Sequence, residues 1–309
     1  MSALVWEAFA ANLGWTAATA LAVMLSTFLL ALTMGVHRIV DSAWGTAFAA
    51  VAVVTFGLSG AHGDPARRLL VTGMTLVWGL RLAVHIARRG SGHGEDPRYE
   101  AMLARAPGSR NLYALRMIYL LQGALVWLVS LPVQAAQYTP RPLSALALAG
   151  TAVWAVGLFF ETVGDAQLAR FKADRANQGR IMDRGLWSWT RHPNYFGDFC
   201  VWWGLFLVAC DGGWQAAAVS VVSPLVMSVL LISGSGKRLL ERRMAGRPGW
   251  DAYAVRTSGF FKGRHANGTD EVRGESADGR TPRAVVMPAH RAGRPVPRWA
   301  ARIHRPAPP

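Results

Sequence analysis

The side chains with most chemical promise are ionisable groups lying inside or directly beside long apolar runs, where each is costly unless it has a partner or a task. Arg81 and His85 stand one helical turn apart in WGLRLAVHIARR, and Arg88 and Arg89 continue the same face. Snorkelling toward headgroups accounts well for Arg88 and Arg89. Arg81 sits farther into the apolar run. Together with Asp41, at the entry of the preceding run, it points to an inward-facing polar cleft in which Asp41 pairs with Arg81 or His85. The next stretch, GHGEDPRYE, offers Glu95, Asp96, Arg98 and Tyr99 for a local salt-bridge cap.

A second cluster runs from Glu161 to Asp198. Glu161 and Asp165 are one turn apart, and Arg170, Lys172, Arg175, Arg180 and Arg184 follow before Arg191–His192–Pro193–Asn194. Pro193 suits a first helical position. Asn194 and the amides after it then face whatever lies at that helix start, a ready place for an anion or a dipole. Lys172 and Arg184 are the residues expected to meet phosphate, with charge-assisted contacts contributing about 1.5–3 kcal/mol each. Trp187, Trp189, Tyr195 and Phe196 interleave with the basic residues as a binding wall or as interfacial aromatics, and the whole stretch also fits a solvated basic loop. A third cluster, Lys237, Glu241, Tyr253 and Arg256, either closes a pocket or belongs to an amphipathic helix on the surface. No phosphate loop, G-x-G-x-x-G, H-E-x-x-H or G-x-S-x-G occurs. Cys200 and Cys210 have no metal-ligand neighbours in sequence and suit plain packing, so no metal site is expected.

The elements that must position these groups are apolar helices. Hydrophobic residues make up 52% of the 309-residue chain and charged residues only 17%, against about 25% in soluble domains. Seven nearly uninterrupted apolar runs lie at 13–34, 43–60, 69–87, 115–136, 143–162, 196–210 and 214–234, several of them reaching the roughly 20 residues that cross a bilayer core. An all-α polytopic membrane protein of about seven spans is expected. The net charge of +15 is not a nucleic-acid signature, because it is one-sided. Twenty Lys and Arg fall in the loops on one side and three, Arg67, Arg68 and Arg141, on the other. That asymmetry predicts a cytoplasmic C-terminus and an external N-terminus. The start, Met1–Asn12, has no basic residue, so the first run is expected to be retained as a helix over 1–34. A membrane domain follows over 35–265. Residues 266–309, rich in Arg, Pro and Gly, are expected to be a disordered tail that touches anionic lipid or stays solvated.

GLWSWTRHPNYFGDFCVWWGLF followed by SGKRLLERRM and RPGWDAYAVRTSGFF resembles the DUF1295 family of the steroid 5-alpha-reductase C-terminal superfamily. The upstream VDSAWG, WGLRLAVHIARRGSGHGEDPRY and LLQGALVWLVSLPVQAA resemble the same family, so the likeness covers roughly residues 35–262. Isoprenylcysteine and phospholipid methyltransferases carry a related R-H-P-x-Y, and the fuller R-H-P-N-Y-x-G-D is similar to sterol C14-reductases. The resemblance implies a reductase that holds NADPH in a cofactor half at about 150–265 and passes hydride to an activated C=C bond of an apolar substrate. By position, Asp165 and Lys172 would meet the adenosine–phosphate portion, and Arg184, Arg191 and His192 belong to the same cofactor loop. Asn194 and Tyr195 would lie near the nicotinamide, with Asp198 one turn deeper, and Lys237, Glu241, Tyr253 and Arg256 would close the site. Steroid reductases use a Glu and a Tyr of the early helices on the substrate carbonyl. The residues nearest those places here are Asp41 and Trp78, with Arg81 on the same helix as Trp78, and Asp41 or a water it holds would supply the proton.

The expectation is therefore an NADPH-dependent reductase of a lipid-like enone in the bacterial inner membrane or its equivalent. The alternatives are an S-adenosylmethionine-dependent methyltransferase of a lipid or prenyl substrate, and a non-catalytic membrane scaffold or transporter, although a transporter calls for inverted repeats that the sequence does not display.

Overall fold

The computed structural model describes residues 5–92, 94–233 and 237–260. The expected tail over 266–309 lies outside the described residues. Among the described residues the protein is all-α, with one isolated β-bridge between Thr190 and Ser258. Eleven helices are named here. They are α1 (Trp6–Met34), α2 (Ile39–Leu58), α3 (Pro65–Gly90), α4 (Pro97–Leu103), α5 (Arg110–Val129) and α6 (Leu131–Gln137), then α7 (Ala145–Ala173), α8 (Pro193–Cys210), α9 (Trp214–Ile232), α10 (Lys237–Met244) and α11 (Trp250–Arg256).

Six of these, α1, α2, α3, α5, α7 and α9, are long and apolar enough to cross a membrane. The expected run 196–210 forms α8, but that helix is not one of the six. At 18 residues it is the shortest of the long helices, and its first two turns carry Asn194 and Asp198. The expected run 115–136 is divided, because α5 ends at Val129 and Pro132 starts the short α6. Exposed Trp15, Leu29, Leu69, Leu148, Phe159 and Val229 form an apolar exterior suited to lipid. The protein is an integral membrane protein by this criterion.

Helix starts follow local chemistry. Asp64, Asp96, Ser109 and Ser144 each accept a first-turn amide, and Pro65, Pro97 and Pro193 sit where a missing N–H costs nothing. The start of α2 is capped from a distance. The amides of His37 and Arg38 donate to the Glu95 carboxylate at 2.5 and 2.9 Å.

Glycines set the packing that positions the site. A Cβ on Gly45 would overlap the carbonyl oxygen of Gly79, which draws α2 and α3 together. Between α7 and α8, a Cβ on Gly150 would stand 2.7 Å from Gly204 O, and one on Gly157 would stand 2.5 Å from Gly197 O. These pairs run in opposite directions along the two helices, so α7 and α8 are antiparallel and in near backbone contact. Small residues at helix crossings allow such an approach where the surroundings offer no hydrophobic drive between helices. The core at the α2–α3–α8 junction is aromatic, with Phe48, Trp78 and Trp202 ring centroids 4.7–5.5 Å apart. At one end of the bundle the fully buried Arg67 donates to the carbonyls of Arg141, Pro142 and Val208 and to Asp211 at 2.5 Å, tying α3, α7 and α8 together. The opposite end gathers the basic loops.

Candidate active site

Two adjoining cavities open at the basic end. The larger, about 800 Å³, is enclosed by α3, the end of α7, the 174–192 loop, the start of α8, and α10 and α11. The smaller, about 700 Å³, is a groove between α3 and α7. Both are bordered by His85, Arg89, Asp165, Lys172 and Asn194.

Where they meet stands a buried ionic cluster. Arg81 on α3 donates to Asp165 Oδ2 at 2.9 Å and to Glu161 Oε2, while Trp78 Nε1 donates to Glu161 Oε1 at 2.9 Å. His85 Nε2 lies 3.5 Å from Asp165 Oδ2. Two i, i+4 pairs on facing helices thus interlock, Arg81 and His85 against Glu161 and Asp165. The Glu161 side chain is 3% exposed and passes beside Gly197, where a Cβ would come within 2.7 Å of Glu161 Cγ. Asp198, one turn into α8, is within electrostatic reach of Arg81 and Asp165 but lines neither cavity.

The larger cavity is strongly cationic. Arg89, Lys172, Arg175, Arg180, Arg191, Arg243 and Arg247 line it, against the carboxylates of Asp165 and Asp174. Aromatic walls come from Trp187, Tyr195, Trp250 and Tyr253. The loop that carries this wall is pinned in place. Trp187 Nε1 donates to Gly164 O at 3.0 Å, Tyr253 Oη donates to Trp187 O at 2.6 Å, and Leu186 N donates to Gln167 Oε1 at 3.0 Å.

Arg191 and His192 act largely as a clasp. Arg191 donates to Ala254 O, Thr257 O and Glu241, its amide donates to Ser258 O, and His192 Nε2 lies 3.2 Å from Glu241 Oε1. Burial holds His192 below its usual imidazole value, against the opposing pull of Glu241. Glu241, despite its own burial, is held below the usual carboxylate range by hydrogen bonds from His192 and Arg191. Burial raises the Tyr253 phenol.

The sequence-derived candidates divide accordingly. Asp165, Lys172, Arg191, His192, Asn194, Tyr195 and Tyr253 line the larger cavity, and Arg81 lines the groove. Arg184 is exposed outside both, Arg256 is ion-paired with Asp183, and Lys237 lies beside Gly259. Trp78 is a buried partner of Glu161.

Asp41 does not pair with Arg81 or His85. Its carboxylate accepts from Arg98 at 2.8 Å and from the Tyr99 hydroxyl, and Arg98 also engages Asp96 at 2.9 Å. The correction has a simple cause. Glu161 and Asp165 lie across the helix crossing from Arg81 and take its donors, whereas α4 folds back over the start of α2 and brings Arg98 and Tyr99 to Asp41. The sequence placed Tyr99 in a local cap with Arg98 and Asp96 and Arg89 at the headgroups, and singled out neither Glu161 as the partner of Arg81 nor Arg175, Arg180, Arg243 and Arg247 as cavity residues. The signal available for Glu161 was its spacing of four from Asp165, which matches the Arg81–His85 spacing.

A family model described as "Protein of unknown function (DUF1295)" matches residues 27–257, a range that includes every candidate site residue. No curated protein and no solved structure matches the chain.

Proposed function

The chain belongs to the DUF1295 family, and from that premise we propose that it is a membrane-embedded, NADPH-dependent reductase of an activated C=C bond in an apolar, lipid-like substrate. The observation that carries this reading is the charge of the larger cavity, seven cationic side chains against two carboxylates; with Arg191 paired to Glu241 and Asp165 engaged by Arg81, six cations face Asp174. NADPH brings three phosphates and roughly four negative charges, whereas S-adenosylmethionine brings a sulfonium, an ammonium and one carboxylate. A volume of about 800 Å³ also lies in the range of cofactor sites.

The residues present fit this cofactor. Lys172, Arg175, Arg180 and Arg247 would hold phosphates, and Asn194 and Tyr195 would flank the nicotinamide end, where bound NADPH supplies hydride. Arg81 orients Asp165, and His85 stands against the same carboxylate. A proton carried on His85 Nε2, which faces Asp165 Oδ2, therefore sits on the wall shared by both cavities, the place for a general acid. Asp41 with Tyr99 forms a second proton-bearing pair, outside the lining of either cavity. We read α8 as a seventh crossing, since its start meets Glu241 at the basic end through His192 and its end meets Arg67 at the other through Asp211. The basic loops then face the cytoplasm, with the bacterial inner membrane as the expected location.

Calorimetry on full-length protein in detergent tests the reading. NADPH should bind with an affinity that falls as salt rises, and NADH should bind more weakly for lack of the 2′-phosphate. Binding of S-adenosylmethionine with no response to NADPH would overturn the reductase and favour the methyltransferase.

A further inference from the structure

The groove between α3 and α7 is a different kind of space from the cavity it joins. Leu80 and Val84, 48% and 47% exposed, form its α3 side, so its mouth lies on the apolar flank of the bundle and not on a loop. On α7 the facing residues are Thr162, Ala166 and Ala169, spaced along one helical face and too small to fill the channel. At its basic end stand Arg88, Arg89 and Lys172, none of them ion-paired with another described residue. The groove's carboxylate, Asp165, is occupied by Arg81.

An apolar length ending in three unneutralised cations is complementary to one class of molecule. We propose that this groove admits, from the bilayer, an amphiphilic lipid with an anionic head group, and that the bond acted on lies close to that head. Arg88 and Arg89 are exposed and reach the head-group level, so a lipid lying in the groove brings an anionic head to cations already placed at that depth, which a neutral substrate does not. The hydrocarbon chain lies along Leu80, Val84, Ala166 and Ala169, and the head meets Arg88 and Arg89, with Lys172 on the wall it shares with the cofactor phosphates. The second half of the proposal rests on the reductase reading. The wall shared with the cofactor cavity, His85, Asp165 and Asn194 together with Arg89 and Lys172, borders the cationic end, so substrate and cofactor come together beside the head and not at the tail.

The test uses the full chain in phosphatidylcholine nanodiscs and a single-chain alkyl phosphate that carries a diazirine, with adducts mapped by mass spectrometry. A mid-chain diazirine should label α3 and α7 around Val84 and Ala166. Ala169→Phe, at an exposed site whose bulk blocks the channel without entering the core, should cut that labelling about tenfold, and Arg88→Gln should weaken it about fivefold. Dodecyl phosphate should compete, and inorganic phosphate should not. Labelling as strong on the exposed α1 face at Leu29 and Leu30, labelling unchanged in both variants, or equal competition by inorganic phosphate would each overturn the groove. These measurements need no nucleotide, so they fail or succeed independently of the reductase reading. For the second half, a diazirine beside the phosphate should be protected by NADPH and one at the chain end should not. Absence of that difference in protein that binds NADPH by calorimetry overturns the position of the reacting bond.

Discussion

Arg81 Nη1 lies 2.9 Å from Asp165 Oδ2, joining α3 to α7 at the wall between the two cavities. The same guanidinium engages Glu161, whose other hydrogen-bond partner among the described residues is Trp78. A planar fork holds two carboxylates at once in a fixed geometry, whereas a lysine offers a point charge on a flexible stem.

Removing that fork should be costly. Arg81→Ala leaves Glu161 buried without its cation, and breaking a buried pair in this way destabilises by about 3–5 kcal/mol. Thermal unfolding in detergent should show a large fall in midpoint, Arg81→Lys an intermediate one. The double variant Arg81→Ala/Glu161→Gln should recover part of the loss. A midpoint unchanged in Arg81→Ala would mean the cluster does not hold the helices together.

Lys172 and Arg184 separate in the structure, and their variants should separate as well. Lys172 borders both cavities and Arg184 neither. Lys172→Ala should weaken NADPH about tenfold or more, and Arg184→Ala should leave its affinity near wild type. Equal weakening in both would return phosphate binding to the exposed part of the loop.

Asp41→Asn tests the two routes for the proton. The change removes the negative charge and one of the two oxygens that accept from Arg98 and Tyr99, and touches neither cavity wall. If Asp41 relays the proton, turnover should collapse while NADPH affinity holds. Wild-type turnover in this variant, with collapse in His85→Gln, would assign proton delivery to His85 and Asp165.

The clasp formed by His192 and Glu241 should open in acid. The folded-state value of His192 lies below the ordinary 6.5, so the unfolded chain binds more protons just below that pH, and stability falls as pH drops through 6.5 toward the folded value. Glu241 is depressed below 4.5, so its contribution is present above that value and is lost at still lower pH. Hydrogen-exchange protection over residues 237–260, taken relative to the intrinsic rate at each pH, should fall from pH 7 to pH 5. His192→Gln should flatten the upper part of the profile, and an identical profile in that variant would discard the clasp.

Gly157→Ala should disturb α7 and α8 out of proportion to one methyl group. Its Cβ would stand 2.5 Å from Gly197 O and 2.7 Å from Val201 N, both backbone atoms that cannot swing aside. Overpacking of this kind costs about 1–3 kcal/mol, and it displaces Glu161 one turn away. Gly14→Ala on α1, where nothing lies within 4 Å, is the control and should hold or raise the midpoint. Equal behaviour of the two would show that the helices are not held by glycine contact.

Much of the fold was legible in the chain. The apolar runs that became α1, α2, α3, α5, α7 and α9 were each visible, because composition alone drives such a segment into lipid. The start of α8 was visible in Pro193, and the loop end of the bundle in its arginines. Less of the site could be read. Lys172, Asn194, Tyr195 and Tyr253 were picked out and do line the cavity, but Arg184, Lys237 and Arg256 belong to the same basic stretches and turn elsewhere. Charge along a loop says which end of the protein is basic and nothing about which side chains face inward.

By itself the sequence determined the all-helical membrane character and the one-sided charge. Backbone groups in lipid must bond within their own helix, so a long apolar segment has a single regular structure open to it. Partnership was decided only in three dimensions. Asp41 and Glu161 were both carboxylates within plausible reach of Arg81, and the choice between them depended on how closely helices distant in sequence approach. That approach is set by Gly45 against Gly79 and by Gly157 against Gly197, where the absence of a side chain lets backbones meet and brings Glu161 beside Arg81. An ion pair across a helix crossing forms only at the register such contacts allow, and that register is a property of the packed bundle and not of any one segment.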